Sequence, residues 1–267
     1  MIDLKGHTAL ITGSSKGVGR AIALSYAQAG ANVIIHGRSP SSESDEVITA
    51  CKALGVRAHF IGGDLSGPTE QVVQEVFDAA IAIEPDTDIL VNNAGQYFDL
   101  PFLEMTYERF EKTMRLNVAS AYFLTQLFSR RWIANGVQGR VIMVGSINGR
   151  LAEVDSTCYD TSKGAIEMMV RTLAATLASK GIRINGMAPG LVRTPQTSWL
   201  DRRHEDAKWM EHHTPNHQVP DAAVCGPAAV FLACDDAWHV HGQMLLVDGG
   251  LSAWQQPHRG GWELKPS

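Results

Sequence analysis

Tyr159 and Lys163 stand four positions apart in the run Ser156, Thr157, Cys158, Tyr159, Asp160, Thr161, Ser162, Lys163, Gly164. On a helix that spacing puts a phenol and an ammonium on one face. A phenol with an ordinary pKa near 10 is a poor acid-base catalyst at neutral pH, and a neighbouring ammonium favours the phenolate and brings it towards the working range. Ser146 lies upstream, just beyond the apolar run Val141 to Val144. If that run is a strand, its hydroxyl emerges at the carboxyl edge of a sheet, where it can hydrogen-bond a substrate carbonyl. Such a trio suits proton transfer at a carbonyl or a hydroxyl. A tyrosine and lysine at this spacing more often mark a solvated helix face, so the surrounding motifs decide.

The next motif is Thr12-Gly13-Ser14-Ser15-Lys16-Gly17-Val18-Gly19-Arg20, directly after an apolar run and directly before helical spacing. A tight strand-to-helix turn needs residues without Cβ so that backbone N–H groups and a helix N-terminus can approach a pyrophosphate. Plain turn glycines are the competing reading. At the end of the second apolar run, where NAD-binding units carry a carboxylate for the ribose 2′-hydroxyl, the chain reads His36-Gly37-Arg38-Ser39, with no acidic residue before Glu43. Arg38 and Lys16 offer cationic donors to a 2′-phosphate instead, so the pattern favours NADP(H). Ordinary solvated loop residues are the competing reading for the pair.

Positioning these groups requires a particular scaffold. Short β-branched runs at Thr8 to Thr12, Asn32 to His36, Arg57 to Ile61, Asp88 to Asn92, Arg140 to Val144, Ile182 to Met187 and Gln243 to Val247 alternate with stretches of helical spacing such as Val72, Val76, Ala79, Ile83. Near-continuous apolar strands alternating with helices predict an α/β fold: one Rossmann domain with a doubly wound, seven-stranded parallel sheet flanked by helices. The 267 residues, 45% hydrophobic and 19% charged, exclude a disordered chain. The 28 acidic and 23 basic residues are scattered, which argues against nucleic acid as a partner. No apolar run is long enough to span a membrane, and Asp3 and Lys5 break up the N-terminus where a signal peptide's apolar region would lie. Cys51, Cys158, Cys225 and Cys234 form no CxxC pair, and reduced thiols in a cytoplasmic protein are expected.

The Thr12 to Gly19 turn, Asn92-Asn93-Ala94-Gly95, Asn117, Ser146, Tyr159 with Lys163, Pro189-Gly190 and the ending Gly242 to Gly250 together resemble the short-chain dehydrogenase/reductase family over residues 3 to 253. The likeness is greatest to its 3-oxoacyl-carrier-protein-reductase-like and sugar or polyol dehydrogenase-like members. It implies that Tyr159 is the general acid in reduction and the base in oxidation. Lys163 would lower its pKa and hold the nicotinamide ribose, Ser146 would polarise the carbonyl, and Asn117 would anchor a water linking Lys163 to solvent. Cofactor contacts are implied for Gly13, Ser15, Lys16, Gly17, Val18 and Gly19 of the turn, for Arg38, Ser39, Asp64 and Leu65 on the adenosine side, and for Asn92, Ala94 and Gly95. Asn92 could as well merely tie strands together. Tyr159, Lys163, Pro189, Gly190, Val192 and Thr194 complete the set on the nicotinamide side.

The implied activity is interconversion of a ketone and a secondary alcohol on a small, hydroxylated sugar, sugar-acid or polyol substrate. Reduction of a 3-oxoacyl thioester is the alternative within the family, and a non-catalytic NADP(H)-binding regulator the alternative outside it. The polar segment 193–218 falls where the family places a substrate lid, and Gln96, Asn148, Glu153, Trp199 and Trp209 are the expected substrate neighbours. Its histidines, His204, His212, His213 and His217, are read as lid residues and not as a metal site. Gly226 and Pro227 are expected to weaken or kink the helix that contains them. A tail, 254–267, follows, with Trp254 and Trp262 able to reach another subunit, and a homotetramer is expected.

Overall fold

The computed structural model describes residues 2–254. Seven parallel strands, β1 (Thr8–Ile11), β2 (Asn32–Gly37), β3 (Ala58–Gly62), β4 (Ile89–Asn92), β5 (Arg140–Val144), β6 (Arg183–Pro189) and β7 (Met244–Val247), form one sheet in the order β3-β2-β1-β4-β5-β6-β7. The order reverses between β1 and β4, which opens a crevice at their carboxyl ends. The strands start or stop a residue or so from the expected limits, and Thr12 lies outside β1 because the chain already turns there.

Strand periodicity explains the two cores. Ala9, Ile11, Val33, Ile35 and Val91 point to one face and pack against α1 (Gly17–Gln28), α2 (Ser42–Ala53) and α8 (Cys225–Ala233). Leu10, Ile34, Leu90, Val141 and Met143 point to the other, against α3 (Thr69–Ile83), α5 (Ser120–Asn135) and α6 (Thr157–Leu177). The helical run from Tyr107 to Asn135 is interrupted: α4 (Tyr107–Met114) passes through a π-helical turn, Arg115–Ala119, into α5. The segment 193–218 also carries structure, a 3-10 stretch Pro195–Asp201 and α7 (His204–His213) around a small cluster of Leu200, Ala207 and Val219.

The expected damage from Gly226 and Pro227 does not occur. Pro227 is the third residue of α8, in a first turn whose N–H groups have no intrahelical partner, so its missing donor costs nothing there. Gly226 is where α8 crosses α1, and a Cβ there would collide with the Ser25 side chain. The Tyr26 hydroxyl donates to the Ala229 carbonyl at 3.1 Å across the same crossing. The helix that carries the glycine turn is thus clamped from behind by α8. Gly226→Val should lower stability by about 1–3 kcal/mol through overpacking, read as a lower urea midpoint at unchanged slope.

Candidate active site

The glycine turn leaves β1 at the switch point. Gly13 and Gly17 have φ of +63° and +59°, a region costly for other residues. Gly19 serves a different purpose, since a Cβ there would lie 2.5 Å from the Gly13 carbonyl oxygen. Asn93, part of the Asn92-Asn93-Ala94-Gly95 motif but given no role from the sequence, holds the turn: its Nδ2 donates to the Thr12 and Gly13 carbonyls at 2.8 and 3.0 Å. From below, His36 accepts from the Gly13 N–H through Nδ1 at 3.1 Å. The proton of that ring therefore sits on Nε2, which is buried without a hydrogen-bond partner among the described residues.

The N-terminus of α1 has neither a side-chain cap nor an acidic residue in its first turn, so its N–H groups are available to an anion. Ser15 Oγ lies 3.6 Å from the point where a Cβ on Gly37 would stand, which brings the turn against the end of β2. Lys16, Arg38 and Ser39 are all exposed along this rim. Asp64 lies beyond β3; hydrogen bonds from the Ser66 hydroxyl (2.7 Å) and N–H (3.0 Å) hold its carboxyl below the usual range. Leu65 is buried beside it.

Asn92 does not face this rim. Its amide donates to Thr125 Oγ1 at 3.0 Å and lies against the Met143 sulfur, because alternation along β4 turns Asn92 under the sheet and Asn93 towards the turn. Ala94 packs on the turn, its Cα 3.0 Å from where a Gly13 Cβ would be. On the opposite bank, Gly190 donates to the Val247 carbonyl at 3.0 Å, Val192 is buried, and Thr194 lies against Gly17, its Cβ 3.7 Å from a Cβ built there. Gln196 Nε2 reaches across to the Gly95 carbonyl at 3.2 Å.

Ser146, Tyr159 and Lys163 meet at the carboxyl end of β5. Burial pushes the Tyr159 phenol up to about 12, and the Ser146 hydroxyl pulls it down. Lys163 is 6% exposed and its Nζ donates to the Val144 carbonyl at 2.9 Å. Burial lowers it to about 8. The lowering of Tyr159 by the ammonium, expected from the sequence, is absent in this arrangement: Nζ is turned to Val144, 5.6 Å from the ring centroid. Desolvation makes the phenol hold its proton more tightly, and the ammonium less tightly, than the free side chains would.

Asn117 sits in the π turn, a local widening that often marks a functional site. Its side chain accepts from Gln96 N–H (3.0 Å) and donates to the Gln96 carbonyl (3.1 Å) and to Ser162 Oγ (3.0 Å). Ser162 Oγ in turn donates to the Tyr159 carbonyl at 2.6 Å. The side chain thus ties the loop after β4 to the turn of α6 that carries Tyr159.

Two of the expected substrate neighbours are occupied elsewhere. The Gln96 amide donates to Thr113 Oγ1 at 3.1 Å, and the Asn148 amide to Asp160 Oδ1 at 2.9 Å, each fixing a loop to a helix. Trp199 and Trp209, with Asp99, Arg203, Asp206 and Met210, line a cavity of about 380 Å³. Tyr97, also missed in the sequence, stands edge-on to Tyr159 at 5.1 Å between centroids, and its hydroxyl donates to Asp99 and, at 3.2 Å, to Glu153 Oε2. A polar loop at the carboxyl edge just past Asn93 to Gly95 was the available signal for Tyr97 and Asp99. His213 stacks on Trp209 with centroids 3.6 Å apart, and no group of three potential metal ligands occurs among the described residues. Trp262 lies outside the described residues.

A family model described as Enoyl-(Acyl carrier protein) reductase matches residues 13–252. An L-rhamnose 1-dehydrogenase (NADP(+)) of Thermoplasma acidophilum is 36% identical, the match covering 94% of this chain and 98% of the relative. A glucose 1-dehydrogenase of Gluconobacter oxydans is 34% identical, covering 93% of each. The crystal structure of a gluconate 5-dehydrogenase from Burkholderia cenocepacia J2315, in complex with NADP and tartrate, superposes with a TM-score of 0.88 at 31% identity, over 95% of this chain and 98% of that one. The chain belongs to the short-chain dehydrogenase/reductase family. Several of the relatives that it matches are named as dehydrogenases of sugars and sugar acids.

Burial holds His36 at about 4, below its ordinary 6.5. Between those values the unfolded chain binds a proton that the folded one refuses, so stability falls as pH drops through this window, by at most about 3 kcal/mol. Urea unfolding at pH 7 and pH 4 should show His36→Asn losing less stability than the unmodified protein. Equal losses would remove His36 from the account.

Proposed function

We propose that the protein is an NADP(H)-dependent oxidoreductase that interconverts a secondary alcohol and a ketone on a small hydroxylated substrate of the sugar, sugar-acid or polyol type. The observation that carries this reading is the convergence of Ser146, Tyr159 and Lys163 beside a glycine turn whose far bank, through Thr194, lies against Gly17. The residues present fit the cofactor: an uncapped α1 N-terminus suits a pyrophosphate, and exposed Lys16 and Arg38 suit a 2′-phosphate. Bound NADP(H) would supply or accept the hydride.

The chain's own groups handle the proton and the oxygen. Ser146 donates a hydrogen bond to the carbonyl oxygen, and Tyr159 delivers its proton to that oxygen in reduction or removes it from the alcohol in oxidation. A phenol near 12 keeps its proton at neutral pH, which suits the acid role. Lys163, buried and near 8, is the cation that favours phenolate once Nζ leaves Val144 for the ribose hydroxyls. Asn117 keeps α6 in register with the cofactor rim. Segment 193–218 is the substrate lid, and a cavity walled by Trp, Asp and Arg side chains suits hydroxyls better than a long acyl chain.

Assembly as a homotetramer in the cytoplasm fits the same reading. Phe102, Leu103, Tyr107, Phe123 and Met168 expose apolar surface around α4, α5 and α6. No helix among the described residues is long and apolar enough to cross a membrane.

A panel of sugars, sugar acids, polyols and 3-oxoacyl thioesters, followed at the nicotinamide absorbance, tests the reading. Tyr159→Phe should retain less than about a tenth of the activity while cofactor affinity stays within about threefold, since the phenol moves a proton and does not hold the dinucleotide. Retention of more activity would remove Tyr159 from the proton path. In the same assay kcat/KM should favour NADP(H) over NAD(H) by about tenfold or more, with Arg38→Asp moving the preference towards NAD(H). Equal use of NAD(H) by the unmodified protein would overturn the assignment of Arg38.

A further inference from the structure

The geometry points to Asp160 as a positioning residue for the reaction: through Asn148 it sets the Ser146 hydroxyl against the turn of α6 that carries Tyr159. The inference deepens the functional reading above and rests on its use of Ser146 and Tyr159. A serine hydroxyl has one hydrogen to donate and two acceptor sites. One acceptor site of Ser146 Oγ is filled by the Asn148 N–H at 3.1 Å, Ser146 serving as the N-cap of the 3-10 turn Ile147–Gly149. Burial raises the Tyr159 phenol and the Ser146 hydroxyl opposes that rise, as a donor to phenolate does. Its hydrogen is thus turned to the oxygen that exchanges the proton.

What holds Asn148 therefore holds Ser146. Asn148 is buried, and its amide donates to Asp160 Oδ1 at 2.9 Å, while Asp160 Oδ2 accepts from the Glu153 N–H at 2.8 Å. Asp160 follows Tyr159 directly in the chain, so the path from Ser146 through Asn148 and Asp160 closes on Tyr159. A carboxylate in the first turn of a helix ordinarily serves that helix's own free N–H groups and its dipole. Asp160 stands in the first turn of α6, yet its two oxygens take donors from the loop after β5. That loop is closely seated, since a Cβ on Gly149 would lie 3.0 Å from the Lys163 carbonyl oxygen. A separate tether, Arg150 Nε to Glu167 Oε1 at 2.7 Å, attaches it further along α6.

The test is a set of variants assayed with NADP⁺ and an alcohol that the substrate panel shows to be turned over, and crystallised with NADP⁺. Asp160→Ala should lower kcat about tenfold to a hundredfold with KM within about threefold, because the serine donor matters most where charge develops on the oxygen. Its crystal structure should show the Ser146 hydroxyl displaced from Tyr159. Asp160→Asn should recover most of the lost kcat: its Oδ1 can take the Glu153 N–H, and its amide can donate to Asn148 once that side chain flips. Asn148→Ala should cost as much as Asp160→Ala, and the two together no more than either, since both break one contact. Arg150→Met cuts the other tether and leaves Glu167 paired with Arg171 at 2.7 Å; it should keep kcat within about threefold. An unchanged kcat in Asp160→Ala, no recovery in Asp160→Asn, independent losses in the double variant, or an equal loss in Arg150→Met overturns the positioning role. If the unmodified protein turned over nothing in the panel, the oxidoreductase reading would fail and the crystal structures would decide: Ser146 moved in Asp160→Ala but not in Asp160→Asn upholds the role, and Ser146 unmoved in both overturns it. Should Asp160→Ala fail to fold, Asn148→Ala against Arg150→Met makes the same comparison.

Discussion

The Thr12 and Asn93 pair joins the carboxyl ends of β1 and β4, and the position of every other group at the crevice follows from that joint. Thr12 Oγ1 accepts from the Asn93 and Ala94 N–H groups, both at 2.9 Å, while Asn93 Nδ2 bridges the Thr12 and Gly13 carbonyls. These bonds place Gly95 and Gln96, which Asn117 grips, and Asn117 reaches Ser162 and through it the backbone of Tyr159. The glycine turn and the helix that carries Tyr159, more than a hundred residues apart in the chain, are therefore connected by one continuous set of hydrogen bonds. Most of its members are buried or half-buried, where an unpaired donor is costly, so the set favours a single arrangement. Gly19 is part of the same constraint, since any side chain there would push into the Gly13 carbonyl and the Asn93 amide.

The site is built at some expense to stability. Lys163 is a buried cation, and the Val144 carbonyl compensates it only in part, which is why its proton is held less firmly than in water. Tyr159 pays the opposite penalty, its anion being the form disfavoured by burial. Desolvation thus moves the two groups past each other, from an order in which the ammonium holds its proton slightly more firmly to one in which it is clearly the easier to deprotonate. Phenolate next to ammonium is then favoured only when a further positive charge or a better hydrogen bond enters the site. That order is set by burial, which composition and spacing alone do not reveal.

The α/β class, the seven strands and their parallel pairing were legible because buried parallel strands read as unbroken apolar runs, and helices between them as 3.6-residue spacing. Tyr159, Lys163, Ser146 and the glycine turn were legible because their chemistry depends on local spacing. What escaped depends on distant partners. Nothing in Gln96 or Asn148 announces that Thr113 and Asp160 absorb their amides. Asn92 and Asn93 are chemically identical neighbours, and only the side of β4 that each faces separates a strand tie from the residue that holds the turn. Tyr97 and Asp99 became visible only when the loop after β4 was laid against Glu153 and Ser156. Pro227 was misread because the start of α8 could not be located from a sequence in which 3-10 and α-helical turns run together at Ala222–Val224.

Segment 193–218 shows how a folded element can still be the least secured part of a site. It contributes two buried residues, Leu200 and Ala207, to a small cluster with Val219, against the two large cores on either face of the sheet. Its ion pairs are exposed, a setting in which each contributes little. Attachment to the body runs through a handful of polar contacts: Gln196 to Gly95, Trp254 Nε1 to the His213 carbonyl at 3.0 Å, Arg193 N–H to the Pro220 carbonyl at 2.8 Å, and Asn216 N–H to the Gly249 carbonyl at 3.2 Å. The last two lie at the segment's ends, and Gln196 spans the crevice itself. Local opening free energy scales with buried apolar contact, so this segment can detach and return while the sheet stays intact. Arg193, Arg203 and Lys208 pair with carboxylates of the same segment, so those charges travel with it, whereas Arg202 has no ion-pair partner among the described residues.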